Sequence, residues 1–105
     1  MVAGQDAERM DSAERFGSMV RQERLARGLS LRDLAQRIGV SPTYVSLIER
    51  GKTSLPTEER VRAIAFELKI DADVLLAAAG QVPDDVVRIL LSDPVRLCAL
   101  IREKS

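Results

Sequence analysis

Residues 30–51, reading SLRDLAQRIGVSPTYVSLIERG, constrain the chain most, because two short helical patterns meet there across a turn too tight for independent helices. Ser30 is placed to cap a helix whose apolar positions Leu31, Leu34, Ala35 and Ile38 recur at three- and four-residue steps, giving it one buried face. Gly39 stops that helix: a glycine just past the last periodic residue tolerates the left-handed backbone of a sharp turn, and Val40 drops between the two helices. Ser41 and Pro42 restart the helix at once. The serine hydroxyl accepts from the free amides of the new first turn, where the missing N–H of proline costs nothing. Val45 and Ile48 form the inward side, which leaves Thr43, Tyr44, Ser46, Leu47 and Arg50 outside before Gly51 closes the helix.

A helix-turn-helix is the simplest reading, with residues 31–38 as the supporting helix and 42–50 as the helix that lies in a DNA major groove. The segment resembles the phage repressor and Cro family of regulators, also called the xenobiotic-response-element family. The residues that carry the resemblance are Leu29-Ser30, Leu34-Ala35, Gly39-Val40-Ser41, Pro42-Thr43-Tyr44 with Ser46, and Glu49-Arg50-Gly51-Lys52, and it covers roughly residues 16–76. It implies an all-α fold, a five-helix lambda-repressor-like DNA-binding domain, and a structural ion pair between Arg24 and Glu49. Such a pair fixes geometry more than it adds stability, although removing one partner costs several kcal/mol. Two positions depart from the family: Glu23 stands where a leucine is usual, and Leu31 where many relatives carry a glutamine.

Taken in order, residues 1–10 are polar, include Gly4 and lack a period, so a flexible N-terminal segment is expected. A helix starts at Asp11 or Ser12, with Phe16, Val20 and Leu25 inward and Gly28 at its end. After the polar loop 52–56, Thr57 caps a helix in which Val61, Ile64, Ala65 and Leu68 repeat through Lys69. Ile70 plugs the core, Asp71 caps a short helix over 72–79 bearing Leu75 and Leu76, and Gly80 ends the DNA-binding domain, 11–80. Beyond it, Pro83 is expected as the first residue of a helix carrying Val86, Val87, Ile89, Leu90 and Leu91. Ser92 and Asp93 break that helix, and Pro94 opens a last one with Val95, Leu97, Cys98, Leu100 and Ile101. This C-terminal extension, 81–105, either packs back on its own domain or forms a two-fold dimer interface; the second reading is favoured because dimers dominate among oligomers and the motif usually acts as one.

Composition bears on function through distribution. Sixteen basic and sixteen acidic residues cancel, yet residues 15–62 hold ten basic against five acidic side chains, and both flanks are net acidic. That polarity suits a phosphate-facing surface. Without histidine, a glycine-rich phosphate loop or a metal-spaced cluster, catalysis, metal and cofactor are not expected. The one cysteine, Cys98, permits no internal disulfide and reads as a small buried hydrophobe rather than a redox sensor. With no signal peptide and no membrane span, a cytoplasmic chain is expected.

A helix in the major groove reads base edges with its first two turns, which makes Thr43, Tyr44 and Leu47 the candidates for base contact, with Pro42 and Ser46 at the margins. The tyrosine hydroxyl could reach a phosphate or its ring could pack against the turn, and both readings stay open. Phosphate contacts are expected from Ser30, the amides from Leu31 onward, Arg32, Ser41, Arg50, Lys52, Thr53 and Ser54, since cations and helix amino ends both favour anions. Arg50 has an alternative use, complementing its own helix's carboxyl end. The expected protein is a homodimeric, sequence-specific repressor on double-stranded DNA, with half-sites of a pseudo-palindromic operator about one turn, roughly 34 Å, apart. Repression is preferred to activation because little chain remains for touching polymerase, and any signal would act through a regulatory protein partner, proteolysis, concentration or the last two helices. The rival reading is an antitoxin-like interaction module of the same fold with weak DNA binding.

Overall fold

The computed structural model describes residues 10–104, and the flexible segment expected over 1–10 lies, Met10 apart, outside the described residues. These residues form seven helices: α1 (Ser12–Ala26), α2 (Leu31–Ile38), α3 (Pro42–Glu49), α4 (Glu58–Leu68), α5 (Ala72–Ala78), α6 (Asp84–Ser92) and α7 (Pro94–Glu103). Caps set most of the boundaries. Asp11 and Ser30 each close a reciprocal box with the acidic residue three positions on, Glu14 and Asp33, while Ser41, Thr57 and Asp71 accept from amides of the first turns of α3, α4 and α5.

The helix ends share one device. At Gly39 (φ 74°) the glycine N–H reaches the Gln36 carbonyl at 3.4 Å and the Val40 N–H reaches that of Ala35 at 2.9 Å, so the chain reverses with its last carbonyls satisfied. The same pattern recurs at Gly28, Gly51 and Gly80, and at α4 a lysine takes the glycine's place. Lys69 sits at φ 57°, where a Cβ costs about 1–2 kcal/mol, so α4 stops one residue short of the end expected from its apolar period.

Helices α1 to α5 enclose an aliphatic core of Phe16, Val20, Leu34, Ala35, Val45, Ile48, Val61, Ile64, Ala65, Leu68, Leu75, Leu76 and Ala79. Helix α3 lies between α1 and α2, and α4 and α5 close the other side. Leu25, expected inward, is instead 53% exposed, because the inward row of α1 runs Phe16, Val20, Arg24 at four-residue steps and Leu25 lies one position further round.

Gly17 lies against the backbone of another helix. A Cβ there would run into the Ile48 and Glu49 carbonyl oxygens, so α1 crosses the last turn of α3 backbone to backbone.

The C-terminal helices differ from the rest. Pro83 caps α6 from outside instead of opening it, with ψ 146° holding it extended, and neither α6 nor α7 has a buried residue. They pack on each other, and their main contacts stop there. The radius of gyration is accordingly 15.1 Å, against about 12–13 Å for a compact chain of this size.

Replacing Gly17 with alanine should destabilise the domain by about 3 kcal/mol or more, because both helices must part. That is the reverse of the roughly 1 kcal/mol gain alanine gives inside an unobstructed helix. Thermal unfolding decides the sign.

Candidate nucleic-acid interface

Helix α3 divides by exposure. Val45 and Ile48 are buried in the core, Pro42 and Thr43 are exposed, and Ser46 and Leu47 are half-buried, with Leu47 outside the set of apolar side chains that pack on the core. Tyr44 is also half-buried, but its ring does pack on the core, and the Arg60 guanidinium lies over it 5.7 Å from the ring centroid. A cation over a partly exposed ring contributes about 0.5–1 kcal/mol.

Around this helix the polar residues gather on adjoining segments. Ser30 heads α2, where its hydroxyl accepts from the Asp33 N–H at 3.0 Å and its own N–H donates to the Asp33 carboxylate at 2.9 Å. The Leu31 and Arg32 amides, the first two of α2, are not used by that box. Leu31 itself is half-buried against the core, so it offers the surface its backbone and not its side chain. The Ser41 hydroxyl accepts from the Tyr44 N–H at 3.1 Å. Beyond α3, Lys52 and Ser54 are exposed and Thr53 is half-buried. Arg32, Arg50 and Lys52 are exposed and have no ion pair among the described residues; Arg50 Nε donates only to the Ser46 carbonyl, at 3.3 Å.

The far end of α3 is held by Arg24 and Glu49, which the fold brings together. Arg24 Nε and Nη2 donate to the two Glu49 carboxylate oxygens at 2.7 and 2.9 Å, and Nη1 donates to the Leu29 carbonyl at 2.7 Å. Both side chains are nearly dry, at 7% and 3% exposure. The hydrogen bond to Glu49 raises the Arg24 pKa against the opposing effect of burial, so the guanidinium stays charged. One side chain thus joins α1, the α1–α2 connection and α3. At the other charged site, Ser30 lowers the Asp33 pKa, first through its N–H and then through its hydroxyl.

Three supports went unread in the sequence. Gly17 had a signal, a helix-poor residue inside a periodic segment, which marks close backbone approach. Arg15 donates through Nε to the Ala78 carbonyl at 3.1 Å, tying α1 to the end of α5, and Arg60 lies over Tyr44 from α4. Neither has a local sequence signal, because each partner lies far along the chain. Among the described residues no group of acidic or cysteine side chains is placed to hold a metal, and no helix is long and apolar enough to cross a membrane.

A capped supporting helix, a tight glycine turn and a half-exposed second helix define a helix-turn-helix domain of the Cro/C1, or xenobiotic-response-element, type. The chain belongs to the helix-turn-helix family HTH_3, whose model matches residues 20–75. It is 37% identical over 67 residues to the uncharacterized HTH-type transcriptional regulator RghRB of Bacillus subtilis, covering 64% of this chain and 48% of RghRB. It is 35% identical over 71 residues to the HTH-type transcriptional repressor RghR of the same organism, covering 68% of this chain and 53% of RghR. The chain therefore spans about half the length of the first of the curated relatives it matches. Among solved structures, the clp gene regulator ClgR from Corynebacterium glutamicum superposes with a TM-score of 0.61 at 26% identity, covering 84% of this chain and 90% of that one. A SinR–SinI complex matches with a TM-score of 0.55 at 28% identity, covering 76% and 78%. This is a family of regulators and not of enzymes.

Breaking the ion pair from one side should be costly. Glu49→Ala leaves a buried guanidinium without its partner, and about 3–5 kcal/mol of stability should go. Replacing both partners with apolar residues, Arg24→Met with Glu49→Leu, should recover most of it in denaturant titrations. The carboxyl of Asp33 titrates lower folded than unfolded, so the stability it adds is full above the ordinary aspartate value of about 3.9 and fades as pH falls through the lower folded value. In acid titrations followed by circular dichroism, Asp33→Asn should lack that component.

Proposed function

We propose that the chain is a homodimeric transcriptional repressor that binds double-stranded DNA by laying the first two turns of α3 in the major groove. The observation that carries this reading is the pairing of an exposed helix face with unpaired cations. Thr43, Ser46 and Leu47 keep solvent access, while Arg32, Arg50 and Lys52, on three segments around them, lack carboxylate partners among the described residues. Arg27, Arg62 and Arg96 pair with Glu23, Glu58 and Asp93, while Arg21, Arg37 and Arg88 are, like the three around α3, without an ion pair among the described residues; what sets the three apart is their place beside the exposed face of α3. Cations left unpaired around one helix suit a polyanion.

In this reading Thr43 and Leu47 meet base edges and thymine methyls, with Pro42, Ser46 and the Tyr44 hydroxyl beside them. The Leu31 and Arg32 amides, Ser30, Ser41, Arg32, Arg50, Lys52, Thr53 and Ser54 hold phosphates. Repression takes support from RghR, which is named a repressor. The dimer takes support from α6 and α7, where Ile89, Leu91, Val95 and Ile101 are more than half exposed and nothing among the described residues covers them. A second copy related by a two-fold axis would cover these faces and set two α3 helices on a pseudo-palindromic operator, within the cytoplasm. A protein partner is the second reading, favoured by the SinR–SinI complex among the structural matches; there the same apolar faces would take a different chain.

Selection of sites from random DNA separates the two kinds of contact. Thr43→Ala should change the preferred bases, with a loss of about 1–3 kcal/mol at its own position. By contrast, Lys52→Ala should weaken every site alike and lower the salt slope by about 0.9 per protomer, or about 1.8 for a bound dimer. Wild-type protein that shows no salt-dependent complex with any duplex would overturn the proposal.

A further inference from the structure

Arg60 is hard to explain as a scaffold residue. It is the third residue of α4, where the positive end of the helix dipole disfavours a cation and where a capping box would place an acid. Helices α1 and α2 follow that rule with Glu14 and Asp33, whereas α4 has the Thr57 cap but an arginine in the box position. Nor does Arg60 find a carboxylate: Glu58 pairs with Arg62 at 3.1 Å, and Arg60 has no ion pair among the described residues. What it has is the Tyr44 ring, at 5.7 Å. Tyr44 lies in the first turn of α3, and α4 starts directly after the polar loop that carries Lys52 and Ser54, so both sides of Arg60 border the surface described above.

We propose that Arg60 is a phosphate-binding residue of this surface, with the Tyr44 ring as the platform that holds its guanidinium flat and forward for a backbone phosphodiester of duplex DNA. The inference rests on the DNA-binding reading. Arginine suits the place where lysine does not, since a planar guanidinium stacks on a ring and still presents a fork of donors to phosphate oxygens. Contact with the ring narrows the rotamer freedom that a long side chain otherwise loses on binding, so the guanidinium is partly preorganised. Tyr44 then acts through Arg60 as well as through any contact of its own, and the tyrosine's packing is part of the binding surface.

The test is anisotropy titration of the whole chain with a mixed-sequence duplex at several salt concentrations. Arg60→Gln should lower the slope of log K against log salt by about 0.9 per protomer, or about 1.8 for a bound dimer, equally for all sequences. Arg60→Lys should keep the slope yet bind more weakly, and Tyr44→Leu should shrink the effect of Arg60→Gln, because the platform is already gone. A scaffold role would change the melting temperature and leave the slope intact. An unchanged slope in Arg60→Gln, beside a lowered one in Lys52→Ala, overturns this proposal and leaves the DNA reading standing. An Arg60→Lys variant as tight as wild type overturns the role of the guanidinium plane. Absence of any salt-dependent complex with the wild type removes the DNA reading itself.

Discussion

What α3 can offer to a partner depends on how its far end is gripped. Two charges are taken almost fully out of water at Arg24 and Glu49, which is expensive, and the expense is offset because three guanidinium nitrogens find acceptors: two on Glu49 and one on the Leu29 carbonyl. A buried pair of this kind contributes little net stability compared with apolar packing. Its value is directional, since a bidentate fork admits one orientation where two leucines would admit several. Gly17 adds a second constraint of another kind, placing the backbone of α1 against the carbonyls of Ile48 and Glu49. Both hold the last turn of α3. The outward face, free of such attachment, keeps Thr43, Ser46 and Leu47 available.

From that grip follows a division of charge. Some cations are paired, as Arg27 is with Glu23 and Arg62 with Glu58, or bonded to a carbonyl of another helix, as Arg15 is at Ala78. Arg32, Arg50 and Lys52, on the segments flanking α3, have no carboxylate partner among the described residues. Asp33 is the exception within the surface, and its place is explained by the box it closes with Ser30: the carboxylate takes the cap's own N–H and leaves the next two amides of α2 unspent. An anion approaching α2 meets those two donors together with Arg32, which offset the nearby negative charge.

Much of this was legible in the sequence because it is local. Caps at Ser30, Ser41, Thr57 and Asp71, stops at Gly28, Gly39, Gly51 and Gly80, and the inward rows of α2 to α5 all follow from spacing within a few residues. The misreadings arose where a distant element decides. Leu25 looks inward by apolarity alone, but an arginine occupies the buried row of α1 because its partner sits twenty-five residues on, so the hydrophobic pattern breaks at Arg24. Lys69 reads as a helix residue because nothing in its side chain announces a left-handed backbone; packing of Ile70 against the core imposes it. The fixed φ of Pro83 suits a first helical residue, but it serves a cap equally well. Among site residues the sequence supplied the types and the face of α3, while the contact between Tyr44 and Arg60 exists only once α4 is folded into the domain.

Helices α6 and α7 raise a physical question that the five-helix unit does not. With nine and ten residues they fall below the roughly 12–15 at which even alanine-rich helices persist alone in water, and pairing with each other leaves Ile89, Leu91, Val95 and Ile101 in solvent. Helices this short draw their stability from a covered apolar face, so α6 and α7 call for a surface outside their own hairpin. Their root, however, is fixed: Gln81 Nε2 donates to the Pro56 carbonyl at 3.3 Å, at the end of the loop bearing Lys52, and Pro83 is buried. In the dimer proposed above, covering the arms and ordering them become one event, and the anchored root passes the geometry of that event to the reading surface. Occupancy of DNA would then depend on protein concentration twice, once through filling the site and once through forming the pair that spans it.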